Sequence, residues 1–291
     1  MAHKNQPIRF SNTLAGSQQE EWPPLVSPPT LFRYLTTERA KEVLRDNRLY
    51  LCSPNSFNDP FDCRLRPGFA GSKAEYKRIG LLLAKGTKPN ASRQALRGMV
   101  AKVRDKLNPM AFEKLYDSWE SQLLNKSGML CLTEWSNDLL MWSHYADKHT
   151  GVCLQFEHIL GRDLLGNAMP VRYVDSYPGF SFVRTFAQIH NLEQQSEALV
   201  EFGKVLFLTK STHWAYEKEW RLIDFPIDGQ PRYGSRNFAP HALIGVILGC
   251  KMNDDCRGEI LALVKQREPV PSIYQAAKKD REFALQIRRF E

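Results

Sequence analysis

The sequence predicts an α+β fold built on a mixed, mostly antiparallel sheet, and three observations carry that expectation. Short apolar and β-branched runs recur from Leu31 to Ile287, whereas most of the strongly helical spacing is grouped early, between Ser72 and Lys126. Neither G-x-G-x-x-G after a strand nor G-x-x-x-x-G-K-[ST] occurs, so the doubly wound and P-loop classes lack their fingerprints.

In chain order, the polar, Pro-rich residues 1–30 read as an N-terminal arm, followed by one α+β domain over 31–291. "LFRYLT" reads as a strand, and "TERAKEVLRDN" as a helix with Thr37 at its N-cap and Asn47 as its stop. "LYLCS" is a second strand and "PNSFNDPFD" a turn-rich loop in which Asn58 and Asp59 are expected to cap backbone amides. Leu, Met, Val and Phe at helical spacing over about 71–126 predict a helical insertion of two or three helices. Beyond it, "GMLCLTE", "GVCLQFE", "VRYVD", "EWRLIDF", "ALIGVILG", "VPSIYQAA" and "FALQI" read as strands. "DLLMWSHYADKH", Leu192–Leu208 and "DDCRGEILALVKQ" read as helices.

The 291 residues suffice for a full core, and 43% hydrophobic with 25% charged residues is an ordinary globular balance. The longest apolar runs, such as "LLLA", are too short to span a bilayer, and no secretory signal is evident. Six cysteines without a C-x-x-C pair suggest buried thiols in a reducing cytoplasm. The net charge of +8 is concentrated: ten Lys/Arg between Gly71 and Met110 face only Glu75 and Asp105. Such a segment is either a solvated helical surface or a footprint for nucleic acid.

Three polar clusters are candidates for chemistry. Arg33, Tyr34 and Thr36 close the first strand. "MWSHYADKHTG" brings Trp142, Ser143, His144, Tyr145 and His149 close together in sequence. The five-residue spacing of its histidines does not suit a helical metal pair, so no metal site is expected. "STHWAYEKEWRLI" carries Glu217, Glu219 and Arg221; extended backbone from Glu217 onward would put all three on one face. Paired carboxylates could stabilise an oxocarbenium-like centre. An exposed Glu219–Arg221 pair on an edge strand is the plainer alternative.

The stretches F-N-D-P-F, M-W-x-H-Y-A-x-x-H-x-G and Y-E-x-E-W-R resemble the bacterial domain-of-unknown-function family 2971, and the likeness runs from about Leu31 to Ile287. More distantly, the order of an aromatic first strand, a middle hydroxyl/aromatic cluster and a late E-x-E is similar to ADP-ribosyltransferases. That likeness implies NAD as substrate, with Glu219 as the main catalytic glutamate and Glu217 orienting the acceptor. By order along the chain it makes Arg33 or Tyr34 the first element and places Ser143, His144 and Tyr145 near the second. Beside that likeness, the residues themselves add Thr36, Asn58, Asp59, Trp142, His149 and Arg221 to the expected ligand-binding set, with Arg221 keeping Glu219 ionised and oriented. A bacterial toxin or defence effector acting on nucleic acid or protein would fit. The alternatives are a non-catalytic nucleic-acid or nucleotide-binding module, using the basic segment 71–110, and a metal-independent nuclease.

Overall fold

The computed structural model describes residues 27–104, 106–190, 195–226 and 229–290. Most of the expected N-terminal arm (residues 1–26) and the start of the helix expected at Leu192 lie outside the described residues. The chain opens with β1 (Thr30–Leu35), α1 (Thr37–Asp46) and β2 (Arg48–Leu51), followed by α2 (Lys73–Thr87), α3 (Arg93–Arg104) and α4 (Pro109–Lys126). It continues through β3 (Gly128–Thr133), α5 (Leu139–Tyr145), β4 (Val152–Glu157), β5 (Met169–Pro170) and β6 (Arg172–Val174). Then come α6 (Phe182–Ile189), α7 (Gln195–Phe207), β7 (Thr209–Ser211), β8 (Glu219–Asp224) and β9 (Gly234–Asn237). The last elements are β10 (Leu243–Leu248), α8 (Asp254–Lys265), β11 (Ser272–Lys278) and β12 (Leu285–Arg289).

Eight strands form one sheet in the order β12-β11-β10-β4-β1-β3-β8-β5, and only β10–β11 pair in parallel. The α+β, mostly antiparallel class is therefore the observed one. Alternation along the strands splits the core in two. On one face Leu31, Leu130, Leu132, Leu154, Trp220 and Leu222 meet Ala40, Val43 and Leu44 of α1 and Ile260 and Val264 of α8. The opposite face carries two apolar clusters. Phe32, Tyr34 and Cys153 pack with Trp142, while Met129 packs with Phe182, Phe186 and Phe207. Full burial of each such side chain contributes about 2 kcal/mol over leaving it in water.

Local signals set the boundaries. Thr36 rather than Thr37 caps α1, accepting the Arg39 N–H, because the strand runs to Leu35 and leaves Thr36 extended. Asn47 ends α1 in the left-handed region at φ 53°, which Asn tolerates. Ser72 and Glu75 form a reciprocal capping box at α2. Gly80 lets α3 approach α2: a Cβ there would stand 3.2 Å from a Val100 methyl. Lys73, Lys77, Arg78, Lys85, Lys88, Arg93, Arg97, Lys102 and Lys106 are exposed, so the insertion turns its charge outward as its spacing predicts.

In α4, Glu120 is only 7% exposed and accepts a 3.0 Å bond from the Tyr116 hydroxyl. Burial raises its carboxyl above the ordinary range. A raised acid contributes stability below its unfolded pKa and loses it as pH rises through the folded value. Glu120→Gln is therefore expected to raise the melting temperature by about 2 °C at pH 7.5. The gain should shrink towards pH 4; thermal melts of both proteins across that range are the check.

Candidate functional site

Glu217 and Glu219 do converge, but not through an extended strand. Thr212–Glu217 is a 3-10 helix, Lys218 closes it at φ 44°, and β8 begins only at Glu219. Ser211 caps that turn through the His213 N–H, and the Thr133 hydroxyl donates to the Glu217 carbonyl at 2.6 Å. The left-handed Lys218 reverses the chain between the two glutamates. Both carboxylates are thus aimed at one ammonium.

That ammonium is Lys210 of β7, 2.5 Å from Glu217 Oε2 and 2.9 Å from Glu219 Oε2. Arg221 grips Glu219 on the other side, with Nε 2.8 Å from Oε1 and Nη2 2.9 Å from Oε2. Its fork also holds Asp62 at 2.8 and 2.6 Å and donates to the Phe207 carbonyl at 2.8 Å. The Tyr145 hydroxyl donates to Glu217 Oε1 at 2.7 Å, and the Glu219 N–H donates to the Tyr173 hydroxyl at 2.8 Å. None of the five charged residues is more than 8% exposed. The exposed edge-strand pair is therefore not what the chain builds.

Three carboxylates face two cations, so the fully ionised cluster carries one net negative charge. Burial raises the Glu219 carboxyl, but the charges of Arg221 and Lys210 outweigh it and hold it well below the usual range. For Glu217 burial wins: with Glu219 nearby adding to it and Lys210 only partly offsetting it, the carboxyl is raised. One carboxylate held low thus stands beside one that burial raises. Burial lowers Lys210 and Arg221, yet their carboxylate partners more than compensate and keep both charged.

Next to the cluster lies a cavity of about 460 Å³, walled by the loop Asn58–Phe61, the segment Val174–Tyr177 and the stretch Thr209–Trp214. Of the five charged residues, Lys210 alone lines it. Asp59, 7% exposed, accepts the Phe61 N–H at 2.9 Å, so it does cap its own turn, while Asn58 faces the cavity. No group of His, Cys, Asp and Glu suited to a metal ion occurs among the described residues. All six cysteines are free thiols, and no described helix is long and apolar enough to cross a membrane.

The other sequence candidates fall elsewhere. Arg33 lies on the sheet face opposite Glu219: Phe32 pairs with Thr133, which pairs with Glu219, so the next residue along β1 points away. Its guanidinium donates to the Cys131 carbonyl, next to the point where β1 and β3 pair through a single register, Phe32↔Thr133. Tyr34 shares the Glu219 face but is buried, donating to the Trp135 carbonyl at 2.9 Å. Trp142 is fully buried, edge-on to Tyr34 at 5.2 Å, with its indole N–H on the Ser136 carbonyl. His144 is exposed, and the Ser143 carbonyl accepts the Lys148 N–H.

After α5, Asp147, Lys148 and His149 all take positive φ (44°, 53° and 75°). That turn is locked by backbone contacts. The His149 N–H reaches the Trp142 carbonyl, and the Lys251 N–H reaches the His149 carbonyl. His149 stacks on Trp142 with ring centroids 6.5 Å apart. Neither histidine lines the cavity; of the whole cluster, Tyr145 is the residue that touches the carboxylates.

Sequence reasoning missed Lys210, Asp62, Tyr173 and Thr133. Asp62 ends the F-N-D-P-F-D stretch and Lys210 lies seven residues before the first glutamate of the E-x-E, so both had a positional signal. Tyr173 and Thr133 had none, since only tertiary pairing brings them to Glu219 and Glu217.

Residues 141–222, from within α5 to within β8, match the model of a family described as Protein of unknown function (DUF2971). The match takes in the M-W-x-H-Y-A-x-x-H-x-G and Y-E-x-E-W-R stretches but not F-N-D-P-F. No curated protein and no solved structure matches the chain.

Proposed function

We propose that this chain is an NAD-consuming enzyme resembling ADP-ribosyltransferases, with the Lys210–Glu217–Glu219–Arg221–Asp62 cluster as its electrostatic centre. The observation that supports the reading is the unbalanced charge: three buried carboxylates against two cations, beside a cavity that Lys210 separates from the glutamates.

In the proposed reaction the bond between ribose C1′ and the nicotinamide ring nitrogen breaks. Its electron pair leaves with the nicotinamide, which becomes neutral. Positive charge then grows on the ribose, and a preorganised anionic centre in a dry site stabilises it more than water could. Glu217 and Glu219 supply that centre, beside the Lys210 ammonium they hold. The acceptor heteroatom forms the new bond to C1′ and gives up its proton to Glu217, whose raised carboxyl suits that task. Glu219 stays ionised and oriented by Arg221.

NAD is expected to raise the melting temperature of the chain by several degrees at saturating concentration, the shift following mass action. ADP-ribose, which lacks the nicotinamide cation, should give a smaller shift. An unchanged melting curve up to millimolar NAD would sink the reading.

A further inference from the structure

We propose that the cavity beside Lys210 is a subsite for a small organic cation. It has three independent features. First, its titratable wall is acidic: Asp59 and Asp175 line it together with Lys210 and His213, and the Lys210 charge is already engaged by Glu217 and Glu219. Asp59 Oδ1 accepts the Phe61 N–H and Asp175 Oδ1 accepts the Thr212 hydroxyl at 2.5 Å, so each anion is held in a fixed orientation.

Second, aromatic rings surround those carboxylates. Phe61 is 65% exposed and Tyr177 42% exposed, although both belong to the cavity wall. Trp214 already shows the relevant contact, with Lys210 Nζ 5.0 Å from its ring centroid. Carboxylates beside open ring faces favour cations over neutral or anionic molecules.

Third, the Thr209 hydroxyl is buried in the cavity wall without a hydrogen-bond partner, in a residue only 4% exposed. A buried unpaired hydroxyl is costly, and a bound N–H group would satisfy it. An acidic, ring-lined cavity with one orphaned acceptor suits a pyridinium bearing an amide, or an ammonium or guanidinium group.

Such a cation has two sources: the nicotinamide end of NAD, or the basic group of a second substrate. The inference rests on the NAD reading only for the first source. Calorimetric titration of the full chain with 1-methylnicotinamide and with agmatine separates them, with neutral nicotinamide and AMP as controls. At least one cation should bind saturably, and the controls about tenfold more weakly or not at all. Asp175→Asn and Trp214→Ala should each weaken the cation about tenfold, and Thr209→Val about fivefold. Unaltered melting curves would show that these variants fold.

Binding of 1-methylnicotinamide alone assigns the subsite to the nicotinamide nucleotide, and agmatine alone to a second, basic substrate. Cation binding without NAD turnover supports the subsite while counting against ADP-ribosyl transfer. Controls that bind as tightly as the cations, an Asp175→Asn protein of undiminished affinity, or no cation binding up to about 10 mM would overturn the subsite.

Discussion

Arg221→Met is expected to lower the melting temperature by roughly 10 °C. Arg221 is fully buried, and its five donor contacts to Glu219, Asp62 and the Phe207 carbonyl all disappear at once. Methionine fills similar volume but leaves three buried carboxylates against Lys210 alone. Breaking a buried pair from one side costs about 3–5 kcal/mol, and each kcal/mol is worth about 2–4 °C in a chain of this size class. Arg221→Lys keeps the charge but not the planar fork, and should fall between methionine and wild type. Calorimetric melts at neutral pH measure this, and a methionine variant melting like wild type would mean the cluster is not formed. Glu219→Gln acts in the same way: stripped of its charge, the side chain would leave Arg221 and Lys210 short of a partner. It should melt well below wild type rather than unchanged. Because Glu219 is held low, its contribution is present above the ordinary carboxylate pKa and is lost as pH falls through the folded value.

Gly151→Ala is the second large effect. A Cβ at Gly151 would overlap the Leu35 carbonyl oxygen and lie 2.9 Å from the carbonyl carbon and oxygen of Ala146, all of them backbone atoms that cannot swing aside. The left-handed turn Asp147–His149 depends on that approach, so the substitution should cost about 3 kcal/mol or more and loosen the Trp142–His149 stack. Gly86→Ala is the matched control, since nothing lies within 4 Å of its Cβ position at an exposed point of α2. It should stabilise the helix by up to about 1 kcal/mol. Denaturant unfolding of the pair reads both signs in one experiment.

The histidine-rich motif shows why legibility was uneven. Its helix and the strand that follows were readable from spacing and β-branched runs, and most strands were found within two residues. Its histidines looked like chemistry because histidines cluster at active sites. The structure gives His149 to a strained turn and His144 to solvent, and leaves Tyr145 as the contact with the carboxylates. The two glutamates were legible as a pair, but their geometry was not. A two-residue spacing suggests a strand, whereas the 3-10 turn and the left-handed Lys218 depend on Thr133 and β7 alongside. Lys210 and Asp62 were hidden for the same reason: ion-pair partners far apart in sequence, or separated by a turn, carry no periodic signal. Short elements such as β5, β7 and β9 exist only as sheet partners and have no pattern of their own.

In the proposed function the charge-unbalanced cluster drives cleavage of the nicotinamide–ribose bond. Nicotinamide release from NAD by wild type and by Glu217→Gln, compared at equal folded fraction, tests it most directly. Steady release by wild type is expected, slowed about 100-fold or more in the variant, because glutamine cannot take the acceptor's proton. Wild type that releases no nicotinamide with water, protein or nucleic acid as acceptor would rule out this role for the cluster, as would a Glu217→Gln protein that releases it at the wild-type rate.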